Sequence, residues 1–185
     1  MLIAISGTPG TGKTAVAKEL KKELDANLVS LSTLLRKGRI KSQWDDGRKT
    51  KIVNIKELRN AVKKNISNNE TNIIDGHLSH FIPADIIVIL RCRPDVLIKR
   101  MKKKGWTTRK IMENVHVEIL DAVTIESLEQ HKKNRIIEID TTKMAPKQAA
   151  VMIKKILNNH SLQKKYVPGK IDWSERFAKY LINNF

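Results

Sequence analysis

The sequence predicts an α/β fold of the P-loop NTPase type, a five-stranded parallel sheet flanked by helices, and three observations carry that expectation. Gly7-Thr8-Pro9-Gly10-Thr11-Gly12-Lys13-Thr14 fits the phosphate-loop pattern G-x-x-x-x-G-K-[ST]. It stands directly after the apolar run Leu2-Ile3-Ala4-Ile5 and opens a segment of helical periodicity. From there to residue 157, short apolar runs alternate with amphipathic stretches, the order that builds a parallel sheet covered by helices. A chain of 185 residues, 41% of them hydrophobic, supplies one substantial core and leaves little room for a second domain.

The elements follow in order. Residues 2–5 read as a buried strand, and residues 13–23 as a helix whose apolar side carries Val16, Ala17, Leu20 and Leu24. Residues 27–29 form a short strand and 31–37 a short helix, and 38–50 are polar and basic with little periodicity, a mobile insertion. A helix over 55–66 precedes a strand at 72–75, and a longer strand at 85–90 follows Pro83. Pro94 opens a helix through Met101, and Gly105 interrupts the chain. One long helix is expected from 109 to about 130, with Met112, Val115, Ile119 and Val123 along one stripe. A fifth strand at 136–139 and a helix at 146–157 close the core. In the tail, residues 160–185, a turn at 166–169 leads to Asp172 as an N-cap, and Trp173, Phe177, Tyr180, Leu181 and Phe185 give a packing stripe for an extra docked helix.

The loop carries the chemistry. Gly7, Gly10 and Gly12 let the backbone turn its N–H groups around an anion, and the following helix N-terminus adds a favourable dipole. The nucleotide set is Gly10, Thr11, Gly12, Lys13, Thr14 and Ala15, with Lys13 reaching the β and γ phosphates of ATP and the Thr14 hydroxyl ligating Mg²⁺. At the end of the 72–75 strand, Asp75 is placed to hold the Mg²⁺ water shell or the Thr14 hydroxyl, so Thr14 and Asp75 are the candidate metal residues. His77 is placed to orient a water or the acceptor near the γ phosphate. His80 is less favoured, and nothing near His116, His131 or His160 suggests a site.

Charge is the second strong signal. Lys+Arg number 36 against 19 Asp+Glu, a net +17, far more than a nucleotide site uses. The excess suits a polyanion such as RNA, the alternative being solvated helix faces of a lysine-rich proteome. Lys99, Arg100, Lys102, Lys103, Lys104, Arg109 and Lys110 lie together without an acid. Arg36, Lys37, Arg39, Lys41, Arg48, Lys49 and Lys51 form another basic stretch, and Lys154, Lys155, Lys164, Lys165 and Lys170 a third. The lone Cys92, at a core strand end, is expected to be a buried inert thiol. With no leader-like segment and no long apolar run, a cytoplasmic chain without a membrane span is expected, a monomer by preference. No Asn-Lys-x-Asp guanine-reading motif occurs, which disfavours a GTPase.

The phosphate loop, Asp75-x-His77, Leu90-Arg91 with the helix to Arg100, Lys104-Gly105-Trp106 and Glu113-Asn114 with Glu118 beyond resemble adenylate kinase isoenzyme 6, the archaeal branch above all. That family comprises adenylate-kinase-like ATPases implicated in small-ribosomal-subunit assembly. The resemblance covers residues 1–158 and implies a nucleoside-monophosphate-kinase core, with 31–53 as the acceptor-side insertion and 103–113 as a short lid. It implies Thr33 and Arg36 near an acceptor nucleotide, AMP or another nucleoside monophosphate. Lys104 stands where the family usually has an ATP-contacting arginine, and Gly76 where other members often carry an aromatic residue. Lys13 with the lid cations Arg100, Lys104 and Arg109 would follow the migrating phosphoryl group, with transfer to AMP or, through His77, to water. A small-subunit ribosomal protein or rRNA is the implied partner. Two other readings remain, a housekeeping nucleoside-monophosphate kinase and an RNA-binding nucleotide switch with little turnover. The adenine side is expected in the loop of residues 141–144.

Overall fold

Every strand of the central sheet is rich in isoleucine, valine or leucine, as strands covered on both faces require. In the computed structural model, which describes residues 1–46 and 50–182, the elements run β1 (Leu2–Ser6), α1 (Lys13–Leu24), β2 (Asn27–Ser30), α2 (Leu31–Arg36), β3 (Ser42–Asp45), β4 (Thr50–Val53), α3 (Ile55–Lys63), β5 (Asn72–Asp75), β6 (Ile86–Arg91), α4 (Pro94–Lys103), α5 (Thr108–Ile119), α6 (Ala122–Gln130), β7 (Ile136–Asp140), α7 (Pro146–Leu157), α8 (His160–Gln163), α9 (Ser174–Phe177) and α10 (Lys179–Ile182). Arg48, Lys49 and Phe185, on which the sequence reading drew, lie outside the described residues.

The five-stranded sheet has the order β2-β5-β1-β6-β7, and its pairings are all parallel. The first strand is therefore central, with Ile5 opposite Asp75 on one side and Val88 on the other. α1 and α7 cover one face through Val16, Leu20, Ala150 and Ile153 against Ile3, Ile5 and Val88. α2 and α3 pack Leu31, Leu34, Leu58 and Val62 against Val29 and Ile74, and α6 packs Val123 beside Ile87, Ile89 and Ile136. Burying an Ile or Leu of this kind contributes about 1.5–3 kcal/mol, so these layers hold the strand ends, and the residues they carry, in fixed register.

Three expectations change. The helix expected from 109 to 130 is two helices, broken where Asp121 takes a left-handed conformation, φ 53°. Apolar periodicity continues across this break, but the Asp121 carboxylate turns inward to the buried Arg91, and aspartate tolerates that backbone better than most residues. The segment 38–50, expected to be irregular, contributes β3, whose antiparallel register with β4 sets Gln43 opposite Ile52. The tail, expected to form one helix, instead forms two four-residue helices, α9 and α10. Among the described residues no helix is long and apolar enough to cross a membrane.

Candidate nucleotide site

β1 runs straight into the glycine loop at the C-terminal edge of the sheet, where an open α/β sheet places its ligands. Gly7 and Gly10 have φ 134° and 95°, and a Cβ would stand 2.3 Å from the Leu90 carbonyl oxygen at Gly7 and 2.8 Å from Leu97 at Gly10. Only glycine fits either position. Gly12 caps α1 without a side-chain acceptor, and the first turn carries no acid, so the helix presents uncapped N–H groups beside the loop.

Lys13 is buried, and its Nζ donates to the Thr8 carbonyl at 3.0 Å. The same carbonyl accepts from the Thr11 amide and the Thr11 hydroxyl, which closes the loop on itself. Burial lowers the Lys13 pKa to about 8, while Asp75 and Glu118 pull it back up. The ammonium thus sits in the loop with no carboxylate bonded to it.

Asp75, at the end of β5, is 2% exposed. Its Oδ2 accepts from the Thr14 hydroxyl at 2.8 Å, and its Oδ1 is buried without any hydrogen-bond partner. Burial raises its pKa, and Thr14 and Lys13 oppose that rise. His77 follows two residues on, its Nδ1 3.3 Å from the Gly7 carbonyl. A carbonyl only accepts, so Nδ1 carries the proton and Nε2 is left as a free acceptor. Burial, then the charge of Lys13, lowers its pKa to about 4, so the imidazole is neutral at pH 7. Between them Gly76 leaves no space, a Cβ there standing 2.8 Å from Leu31.

The remaining candidates divide. Lys104 lines a cavity of about 340 Å³ with Gly12, Lys13, Thr14, Ala15 and Lys18, as a cation over the phosphate loop should. Arg100 lines an adjoining cavity of about 550 Å³ with Gly10, Thr11, Thr141 and Met144, and its Nη2 donates to the carbonyls of Thr141 and Thr142 at 3.0 and 3.3 Å. It is thus bonded to the loop after β7. Arg109 is exposed on α5, pairs with Glu113 at 3.3 Å and lines neither cavity. Arg36 lines a separate cavity of about 880 Å³ with Lys41, Gln43, Ile52, Asn54 and Glu57, while Thr33 sits in α2, its amide capped by Ser30.

Several residues of this edge were not singled out for such a role in the sequence. Arg91 is 2% exposed and donates to Glu118 at 2.8 Å, to Glu138 at 2.6 Å and to Asp121. Glu118 also accepts from the Cys92 amide and is supported by the Thr8 hydroxyl, so this ionic cluster reaches the phosphate loop. The Thr141 hydroxyl contacts both the Thr11 and Arg91 carbonyls, at 2.9 and 2.8 Å. Ser6, fully buried, joins the His77 carbonyl to His80 Nδ1 at 2.8 Å, and His80 Nε2 lies 3.0 Å from Glu126. No periodicity marks these contacts; a buried arginine at a strand end is the one clue the sequence offers.

Fold and loop together define a P-loop protein of the nucleoside-monophosphate-kinase-like class. A shikimate kinase from Acinetobacter baumannii in complex with shikimate superposes with a TM-score of 0.62 at 15% identity, over 85% of this chain and 92% of that one. A deoxyadenosine kinase from M. mycoides with products bound superposes at 0.58 and 17% identity, over 85% and 99%. A family model described as an AAA domain matches residues 3–121. Proteins named "Putative adenylate kinase" are 38% identical in Pyrococcus abyssi, over 98% of this chain and 96% of that protein, and 37% identical in Thermococcus onnurineus, over 97% and 94%. The chain belongs to the AAA-domain family and to the archaeal adenylate kinase group that these relatives form.

Proposed function

We propose that this protein is an adenylate-kinase-like phosphotransferase and ATPase that passes the γ phosphate of ATP to AMP or to water, and that it acts in small-ribosomal-subunit maturation. The observation that carries the nucleotide chemistry is the pairing of Thr14 with Asp75 beside the buried, carboxylate-free Lys13. On binding ATP, Lys13 exchanges the Thr8 carbonyl for phosphate oxygens, and Lys104 adds a second cation over the loop. Thr14, and Asp75 through water, would hold Mg²⁺; the orphaned Asp75 Oδ1 fits that role. A bound Mg²⁺ would neutralise phosphate charge. His77, neutral with Nε2 free, takes a hydrogen bond from the attacking water or orients the acceptor. Arg100 positions the loop of residues 141–144 for the base and turns to the phosphates only if closure releases it. Arg109 joins through the same closure of 103–113, while Arg36 and Thr33 serve the acceptor in the 31–53 insertion. The net +17 supports rRNA, a polyanion, as the partner, and the family resemblance adds a small-subunit ribosomal protein.

A housekeeping nucleoside-monophosphate kinase is the second reading, favoured by the separate cavity of about 880 Å³ at Arg36. The deciding experiment follows ATP consumption with and without AMP, separates ADP from released phosphate, and repeats the assay with Lys13→Ala, His77→Ala and small-subunit RNA. Slow transfer with phosphate release that depends on His77 and responds to RNA supports the assembly ATPase. Fast transfer to AMP, indifferent to RNA and to His77, means a metabolic kinase. Tight RNA binding with negligible turnover means a nucleotide switch.

A further inference from the structure

The C-terminal strap, residues 167–182, reaches the nucleotide site from behind through two separate chains of contacts. The first is apolar. Phe177, 6% exposed, belongs to one buried cluster with Leu97, Met101, Val115 and Ile119, and Trp106 and Tyr180 pack on its rim. Leu97 and Met101 are also the side chains that a Cβ on Gly10 would meet, at 2.8 and 3.3 Å. One apolar block therefore has the strap on one side and the phosphate loop on the other, with the Trp106 connection beside Lys104 resting on it.

The second route is polar. The Gly169 amide donates to Glu138 Oε2 at 2.9 Å, and Arg91 Nη1 approaches the Ile171 carbonyl at 3.4 Å. Arg91 and Glu138 are bonded to each other, and Arg91 holds Glu118, whose carboxylate the Thr8 hydroxyl supports. His116 Nε2 donates to the Tyr180 carbonyl at 2.6 Å, which fastens the far end of the strap to α5.

Gly7, Gly10 and Gly12 bring no side chains to hold this loop, so beyond its own bonds at the Thr8 carbonyl its shape depends on what it leans on. Phe177 packs edge-on to Trp173 and stacks with Tyr180, at 6.2 and 6.1 Å, which fixes it against the cluster. Removing its ring leaves a cavity into which Leu97 and Met101 relax, away from Gly10.

We propose that residues 167–182 are a positioning element of the nucleotide site, in which Phe177 and the Arg91 cluster set the phosphate loop and the 104–107 connection without touching the nucleotide. The proposal rests on the nucleotide reading above. A wild-type chain that binds a fluorescent ATP analogue yet transfers no phosphate fails that reading and leaves this one standing.

The test compares full-length Phe177→Ala, Phe177→Leu and Ile136→Ala, the last a core truncation at the start of β7, in the separate apolar cluster of Ala4, Ile87 and Val123, chosen for a similar loss of thermal stability. Dissociation constants are measured with the fluorescent ATP analogue, KM and kcat by turnover, and amide exchange across the chain. Phe177→Ala is expected to raise the dissociation constant and KM for ATP at least fivefold with kcat within twofold, and to speed exchange at residues 10–12 and 105–107. Phe177→Leu recovers most of the affinity, and Ile136→Ala leaves affinity and loop exchange unchanged. Equal effects of Phe177→Ala and Ile136→Ala, or unchanged affinity and exchange in a folded Phe177→Ala, overturn the proposal. If Phe177→Ala does not fold, Tyr180→Ala, which removes the ring stacked on Phe177, decides: about twofold weaker binding supports the proposal and wild-type binding overturns it.

Discussion

The Thr14 hydroxyl and the Asp75 carboxylate, 61 residues apart in the chain, meet at 2.8 Å because β1 and β5 are neighbours in the sheet. That bond satisfies one carboxylate oxygen and leaves the other, Oδ1, buried with nothing to accept. An unsatisfied buried acceptor costs about 1–3 kcal/mol, and the cost is removed when a bound cation or its water supplies the missing partner.

Asp75→Asn keeps a group able to bond Thr14 but removes the charge. The Mg²⁺ concentration for half-maximal turnover is therefore expected to rise tenfold or more, with the fold intact. A magnesium titration of ATP turnover checks this; an unchanged requirement would show that Asp75 plays no part in holding the ion.

Lys13 titrates at about 8 in the folded chain against 10.5 ordinarily. Within that interval the unfolded chain holds a proton the folded chain has lost, so this group's contribution to stability rises with pH there. Phosphate binding needs the ammonium, so ATP affinity should fall by up to about tenfold per pH unit above 8. Binding titrations at stepwise pH read this directly. Lys13→Ala flattens the dependence and lowers turnover by about 10²-fold or more.

Arg91→Met strands Glu118 and Glu138, both buried, without their cation. A loss of about 3–5 kcal/mol in denaturant unfolding is expected. Burial already raises the Glu118 pKa, with Arg91 opposing; once Arg91 is gone the rise is larger. A carboxyl with a raised folded pKa destabilises as pH climbs through it, so the variant's deficit relative to wild type should shrink in acid. A deficit independent of pH would contradict this.

Burial pushes the Cys92 thiol up to about 12. At pH 8 the folded protein should leave a thiol reagent almost unreacted, and one equivalent should be taken up in denaturant. Rapid modification of native protein would show that this strand end opens readily.

The sequence made the β1–loop–α1 unit legible because Gly7, Gly10, Gly12 and Lys13 are demanded by local geometry, and the apolar runs gave the five parallel strands. Asp75 was legible for the same reason, as an acid at a strand end. The break at Asp121 was not, because the stripe from Met112 to Val123 continues through it and the cause is a buried arginine 30 residues away. Arg100 carried the right charge in the right helix, but which carbonyls its guanidinium meets depends on the loop after β7. The β3 strand was hidden for another reason: Gln43 and Trp44 acquire a strand partner only through residues 51 and 52. Thr33 and Arg36 lie in α2, and no local pattern says what they bind.

The strand order carries a consequence for synthesis. β1 leaves the ribosome before the two strands that flank it, β5 and β6. Until about residue 75 has emerged the nascent chain has a hydrophobic strand with both edges bare, and until about residue 91 one edge stays bare and the glycine loop lacks the Leu90 wall. The Thr141 hydroxyl, which holds the Thr11 carbonyl, arrives later still. A segment made before its neighbours is thus the last to become competent, and early release of the polypeptide should yield insoluble fragments rather than a truncated nucleotide binder.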